Sequence, residues 1–201
     1  MMPIVSLLLA AVLLASACSD GRASDDDPDT LPPPIEKPTS TTLSYAVPAT
    51  IDVAYAQHVM RALDHVYGEA VRGLARSRVV DEEFLKPLVA IHNPRSFGLA
   101  QDGWVKLQAR GFPGLRAAPL DPETRIERLL RADATCIVIE GDRSLAPLFE
   151  VDHPTNHHRF VALTPISADR NPSGFNVTPW TMNFDGQGPG GTLPEDACEP
   201  Q

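Results

Sequence analysis

Apolar side chains recur at three- and four-residue steps between positions 51 and 75, the spacing that gathers side chains on one face of an α-helix. This stripe consists of Ala56, Val59, Leu63, Val66, Ala70 and Leu74. Polar residues fill the positions between them, and we place Asp64, His65 and Glu69 on the solvent-facing side. The pattern predicts one long amphipathic helix that buries a single face.

Residues suited to the first turn of a helix occur at three later points. Asp81 can cap a short helix that runs to Ile91, and the pair Asn93-Pro94 can start another. The pair Asp121-Pro122 is of the same kind, and apolar residues at helical steps follow it. Residues 122–132 are therefore predicted to form a short fourth helix.

The pattern changes after Asp133, where we predict strands at 135–141, 145–151, 158–165 and 178–185. Residues 136–139 are all apolar, so both faces of that strand should be covered and the strand should lie inside the sheet. The loop at 152–157 suits an antiparallel hairpin between the second and third segments. Helices followed by an antiparallel meander predict the α+β class.

The N-terminus carries a different apolar pattern. A mostly apolar run from Pro3 to Ala17 is shorter than the roughly twenty residues that a spanning helix needs, but it is typical of a signal peptide. It ends in small residues directly before Cys18, and this arrangement resembles a bacterial lipobox. The resemblance implies a signal peptide over 1–17, cleavage before Cys18 and attachment of diacylglycerol and palmitate to that cysteine. Plain secretion, with cleavage near Ala17, is the alternative.

Residues 18–44 are rich in aspartate, proline and threonine, with too little apolar surface to offset the entropy of folding. We interpret this segment as a disordered tether that follows the lipidated cysteine. Residues 45–201 would then form a single globular domain, held clear of the membrane on its extracytoplasmic side.

The charge of the chain narrows the choice of partners. The formal net charge is −9, with acidic residues in excess in both the tether and the domain. Nucleic acids and anionic lipid heads attract clustered lysine and arginine, which this chain lacks. We therefore expect no nucleic acid as a partner, and we expect contact with the membrane through the lipid anchor.

Two cysteines remain once Cys18 is assigned to lipid. Cys136 lies in the strongest strand candidate, and Cys198 lies in a tail with little apolar content of its own. An exported protein meets an oxidising environment, in which disulfides persist. We predict a disulfide between Cys136 and Cys198 that pins the tail to the sheet.

The order and size of the elements over residues 50–185 resemble the superfamily of nuclear transport factor two and ketosteroid isomerase. There, a long N-terminal helix and two shorter ones lie on a strongly curved antiparallel sheet. The resemblance implies a cone-like domain with a pocket between helices and sheet. Isomerase sites pair a carboxylate base with a tyrosine or a protonated acid, and residues of these types here are Tyr55, Tyr67, Asp64, Asp133, Glu140 and Asp142. Their spacing forces no pair into one cavity, so the sequence assigns no catalytic residue.

Two further motifs suggest cofactors or metals. Gly186 to Gly191 matches the glycine pattern of dinucleotide loops, but no helical pattern follows it, so we expect no cofactor. Residues suited to zinc, copper or nickel cluster at the predicted hairpin: Asp152, His153, His157 and His158. Their spacing matches no established metal motif. A solvated hairpin tip without metal is the simpler interpretation.

The sequence favours a membrane-anchored envelope lipoprotein whose domain binds a small apolar ligand or an envelope protein without catalysing a reaction. Two alternatives stay open. One is an isomerase- or dehydratase-like enzyme that uses a pocket in the cone. The other is a metal-binding envelope protein that uses the 152–158 loop.

Overall fold

A computed structural model describes residues 47–150, 157–166, 177–187 and 191–199. These ranges contain the helices α1 (Val53–Ser77), α2 (Glu82–Ile91) and α3 (Pro94–Ala109) and the strands β1 (Glu123–Asp133), β2 (Cys136–Ser144), β3 (His157–Pro165) and β4 (Trp180–Gly186). The strands form one antiparallel sheet in the order β1-β2-β3-β4. The predicted α+β class is confirmed. The signal peptide, Cys18 and the tether lie outside the described residues and stay predictions.

Each helix begins at a side chain that accepts a hydrogen bond from a backbone N–H three residues later. Asp52 caps α1 at 2.7 Å, Asp81 caps α2 at 3.0 Å and Asn93 caps α3 at 2.9 Å. Such a cap satisfies an N–H group that the helix leaves unpaired and is worth about 1 kcal/mol. Within the described ranges, no helix has both the length and the apolar character needed to cross a bilayer.

The apolar stripe of α1 packs on the sheet. Its members are all buried, and they share one hydrophobic core with Ile137 and Ile139 of β2. The other face of β2 buries Cys136 and Val138 in a second cluster with Ala197 from the C-terminal tail. Both faces of β2 are therefore covered and the strand lies between β1 and β3, as its unbroken apolar run predicts.

The predicted fourth helix is wrong, because residues 123–133 form strand β1. The ladder between β1 and β2 shifts register between Ile126 and Arg128 and again between Leu129 and Arg131. A β-bulge adds one unpaired residue, so residues three apart can lie on the same face of a strand. Ile126 and Leu129 both pack against the main core. Their helix-like spacing comes from these bulges.

The predicted strand at 145–151 is also wrong. Ala146–Leu148 form a 3-10 turn, and β3 pairs antiparallel with β2 and β4. Leu148 and Phe149 are buried in the main core. The apolar residues of this segment therefore pack in the core although the segment does not pair with β3. Residues 151–156, which include most of the predicted hairpin tip, lie outside the described residues.

Candidate functional site

A groove with a volume of about 690 Å³ is lined by α1 and α2. Its apolar wall consists of Val66, Ala70, Leu74, Phe84, Pro87 and Val177. Gly73 also lines the groove, and a Cβ added there would meet no heavy atom within 4 Å. The volume falls within the range of about 300–1,000 Å³ that is typical of sites for small molecules.

Charged groups surround this apolar wall. The described lining includes His65, one arginine (Arg76) and three carboxylates (Glu69, Asp81 and Glu83). Glu69 accepts a hydrogen bond from Arg72 at 2.8 Å, which lowers the pKa of Glu69 below its usual range. The rim is therefore more acidic than basic, a balance that favours a neutral or cationic ligand over an anionic one.

Asp121 braces α1 beside this rim. Its carboxylate lies 2.9 Å from His65 Nδ1 and 2.8 Å from Arg72 Nη1. The contact requires glycine at position 68, because a Cβ there would lie 2.0 Å from Asp121 Oδ1. The segment that carries Asp121 is thus fastened across α1 next to residues that line the groove.

The groove does not lie where the cone resemblance places a pocket. Its described lining contains no residue of β1 to β4. Between the helices and the sheet, the side chains of Leu63, Ile137 and Ile139 are at most 1% exposed. These three side chains belong to the packed core, so the groove is a different feature from the pocket that the cone resemblance implies.

A buried ion cluster occupies the polar part of the core. Arg143 of β2 donates to Asp64 Oδ1 through Nε at 3.0 Å and Nη2 at 2.7 Å, and to Asp185 through Nη1. Thr124 also donates to Asp64, at 2.6 Å. The placement of Asp64 on the solvent-facing side of α1 is therefore wrong, because its side chain is only 3% exposed.

The two carboxylates of this cluster respond differently to burial. Burial raises the pKa of Asp64, and Arg143 and Thr124 offset this only in part. Burial also acts to raise the pKa of Asp185, but the guanidinium groups of Arg143 and Arg159 outweigh it and lower that pKa. Neither aspartate lines the groove. The cluster connects α1 to β2 and β4 inside the core.

The tyrosines considered for catalysis are held by tryptophans. Trp104 donates its indole N–H to the Tyr67 hydroxyl at 2.8 Å, and Trp180 donates to the Tyr55 hydroxyl at 2.9 Å. Tyr67 is buried, and burial raises the pKa of its hydroxyl. Neither tyrosine lines the groove, so neither is placed to act on a ligand bound there.

The remaining candidate carboxylates belong to the strands. Asp133 accepts a hydrogen bond from the backbone N–H of Thr135 at 2.8 Å in the turn between β1 and β2. Glu140 accepts from Arg128, and Asp142 pairs with Arg125 at 3.3 Å. None of these carboxylates lines the groove.

His92, which follows α2, is a titratable residue that sequence reasoning missed. It is only 7% exposed, and its Nδ1 lies 2.9 Å from the carbonyl oxygen of Leu88. Burial lowers the pKa of His92 to about 4, so the ring is neutral at physiological pH. A lone histidine at a helix end gives no sign of burial in a sequence.

The predicted disulfide between Cys136 and Cys198 is confirmed, with the two Cα atoms 5.7 Å apart. Asn183 of β4 supports it by donating to the carbonyl oxygens of Ala197 and Glu199, at 2.7 and 3.0 Å. These bonds fasten the tail to the face of the sheet that is opposite the helices.

Of the metal-ligand candidates at the predicted hairpin, only the side chain of His158 is described. Asp152, His153 and the side chain of His157 lie outside the described residues. His158 faces Asp142 across the ladder between β2 and β3. With Glu127 of β1, these two residues bring three potential ligand atoms within 4.8 Å of one another. Sequence reasoning missed this group because its members come from three different strands.

No protein-family model, curated protein or solved structure matches this chain. The resemblances to a lipobox and to the cone superfamily therefore stay hypotheses.

Proposed function

We propose that this protein is an extracytoplasmic lipoprotein, anchored to a membrane through Cys18, whose domain binds a small, largely apolar molecule between α1 and α2. The groove carries the proposal, because its volume is about 690 Å³ and its wall is apolar. A groove of this size can accommodate a small organic molecule.

The disulfide supports the proposed location. Cys136 is fully buried and is joined to Cys198 of the tail. Structural disulfides of this kind form and persist in secreted and envelope proteins, whereas cytosolic thiols are kept reduced. This observation agrees with export by the N-terminal segment.

The lining limits the class of ligand. The carboxylates on the rim outnumber Arg76, so a ligand with a free carboxylate or phosphate would meet net repulsion. The apolar wall favours rings or short alkyl chains, which lose contact with water when they enter. A neutral aromatic or aliphatic molecule fits both conditions.

Gly73 offers a way to fill the groove without disturbing the fold. It lies within α1 and lines the groove, and no heavy atom is near the position that its Cβ would take. Leucine is a better helix former than glycine by nearly 1 kcal/mol. The substitution Gly73→Leu should therefore occlude the groove and leave the domain at least as stable.

The test is a fluorescence titration with the neutral apolar probe N-phenyl-1-naphthylamine. The wild type should give a saturable increase in fluorescence that Gly73→Leu largely abolishes. Gly103→Leu in α3 is the matched control, since a Cβ at Gly103 also meets nothing within 4 Å and Gly103 does not line the groove. Equal binding by Gly73→Leu and Gly103→Leu would refute the proposed site. Binding of a protein without binding of the probe would support the alternative of an envelope-protein partner.

A further inference from the structure

A second potential site lies on the sheet, apart from the groove. Asp142 and His158 are direct partners across the ladder between β2 and β3. Alternate residues of a strand share a face of the sheet. Asp142 and His158 therefore lie on the same face as Val138 and its ladder partner Ala162. The two side chains therefore lie on the face opposite the helices, where one end of the sheet extends beyond the disulfide-linked cluster.

Glu127 of β1 lies on the same face, two positions after Arg125, which is the ladder partner of Asp142. The β1–β2 register shifts between Ile126 and Arg128, which leaves Glu127 as the extra residue. Gly141 makes the bulge possible, since a Cβ there would lie 2.2 Å from the carbonyl oxygen of Arg125. The bulge brings Arg128 to the same face, where it pairs with Glu140. Glu127 Oε2 lies 3.8 Å from His158 Nδ1.

The imidazole of His158 is oriented by Glu140. His158 Nε2 lies 2.7 Å from Glu140 Oε1, and the Glu140 side chain is 9% exposed and also accepts from Arg128. When Nε2–H is donated to Glu140, the lone pair of Nδ1 faces Glu127. Histidines that bind metals are typically held by a carboxylate on the second nitrogen in this way.

The two carboxylates of the group already share a positive charge. Arg125 Nη2 lies 3.3 Å from Glu127 Oε1 and 3.3 Å from Asp142 Oδ2. The Arg125 side chain is 74% exposed, so it can leave without opening the core. A divalent metal ion between the same carboxylate oxygens would replace the single positive charge of Arg125 with two positive charges. The ion could also bind His158 Nδ1, which the hydrogen bond to Glu140 does not use.

We propose that Glu127, Asp142 and His158 bind a divalent transition-metal ion of the zinc class, which displaces Arg125. Their potential ligand atoms lie within 4.8 Å of one another. Zinc bonds of about 2.0–2.2 Å would require these exposed side chains to close by roughly 1 Å. One imidazole and two carboxylates favour such an ion over calcium or magnesium, which take oxygen ligands only. Three protein ligands also leave a coordination position for water.

The test is calorimetric titration of zinc chloride into the full chain, purified without a histidine tag and stripped with a chelator. One equivalent should bind, and His158→Ala and Glu127→Gln should each abolish that binding. Glu140→Gln should weaken it about 10- to 100-fold, the usual effect of losing an orienting partner. Arg125→Ala should tighten it, because the competing cation is removed.

Two controls separate this site from chance surface binding. Glu123→Gln removes the same charge from the same strand, and His58→Ala removes an exposed imidazole of α1; neither should change the affinity for zinc. The absence of zinc binding, or equal binding of calcium, would overturn the assignment. Binding that is lost in His153→Ala/His157→Ala but kept in Glu127→Gln would move the site to the hairpin loop and also overturn it.

Discussion

Asp64 and Arg143 form an ion pair between α1 and β2, with Oδ1 and Nη2 2.7 Å apart and each side chain only 3% exposed. Arg143 also reaches Asp185, so the same guanidinium joins α1, β2 and β4. Buried charges are tolerated only when they are paired and hydrogen-bonded, and this requirement selects one arrangement of the three elements. Because α1 forms one wall of the groove, the ion pair helps to fix the shape of the proposed binding site.

Replacing Arg143 with methionine should lower the free energy of unfolding by about 3–5 kcal/mol, because two buried carboxylates lose their shared partner. Arg125→Met is the matched control. Arg125 also lies in a strand and pairs with two carboxylates, but it is mostly exposed, so its loss should cost less than about 1 kcal/mol. Urea unfolding of the three proteins checks this prediction. Equal losses would mean that the buried pair contributes no more than a surface pair.

Leu63→Ala should cost about 2–5 kcal/mol, because Leu63 is 1% exposed in the core between α1 and the sheet. Leu99→Ala in α3 serves as the control, since Leu99 is 69% exposed and its truncation should cost less than about 0.5 kcal/mol. Chemical denaturation measures both values. A cost below 1 kcal/mol at Leu63 would contradict the packing of α1 described above.

His92 should make the domain less stable in mild acid. The folded protein holds His92 neutral because burial lowers its pKa to about 4, whereas an unfolded histidine titrates near 6.5. The unfolded state therefore takes up a proton first as the pH falls from 6.5 towards 4, and stability is lost over that window. Between pH 6.5 and pH 4.5 the wild type should lose roughly 2 kcal/mol more than His92→Gln does. Parallel pH profiles of the two proteins would show that His92 is not buried in solution.

The disulfide should be complete in the exported protein. Cys136 and Cys198 are separated by 62 positions, and closing a loop of that length stabilises a domain by about 4 kcal/mol in the chain-entropy model. Intact-mass analysis after alkylation under denaturing, non-reducing conditions should therefore detect no thiol from this pair. Alkylation at both positions would exclude the bond, and an unfolding midpoint that reductant leaves unchanged would show that it adds no stability.

Cys18→Ser should release the protein from membranes, because serine cannot carry the thioether-linked lipid that the lipobox resemblance implies. Fractionation of the expressing cells, followed by immunodetection, distinguishes the outcomes. Wild-type protein should be found with the membranes, and the variant should be in the soluble or secreted fraction. If the variant stays in the membrane without processing, the N-terminal segment is an uncleaved anchor.

The sequence predicted the elements whose signals are local. The period of α1 and the caps of α2 and α3 depend on residues within one or two turns, and the apolar run of β2 needs no partner to be recognised. Strand β1 was missed because its bulges give Ile126 and Leu129 the spacing of a helix. A bulge depends on the neighbouring strand, here through Gly141, and single-chain periodicity does not contain that information.

The candidate sites were harder to predict for the same reason. The disulfide could be deduced because two cysteines remained after Cys18 was assigned to lipid. The burial of Asp64 could not be deduced, because its partner Arg143 is 79 positions away in the sequence. In addition, Thr124 of β1 contacts Asp64 on a side of α1 that the apolar pattern assigns to solvent. The groove depends on how α1 and α2 are positioned relative to each other. The pattern of apolar and polar residues within each helix does not predict that arrangement.

Methyl-resolved NMR of the protein during titration with N-phenyl-1-naphthylamine tests the proposed binding site most directly. Saturable shifts are expected for the methyl groups of Val66, Leu74 and Val177, which line the groove. The methyl groups of Leu99 and Val105, which are exposed on α3 and do not line the groove, should stay unchanged. Shifts confined to Leu99 and Val105, or no saturable shift at any groove methyl, would refute the proposed site.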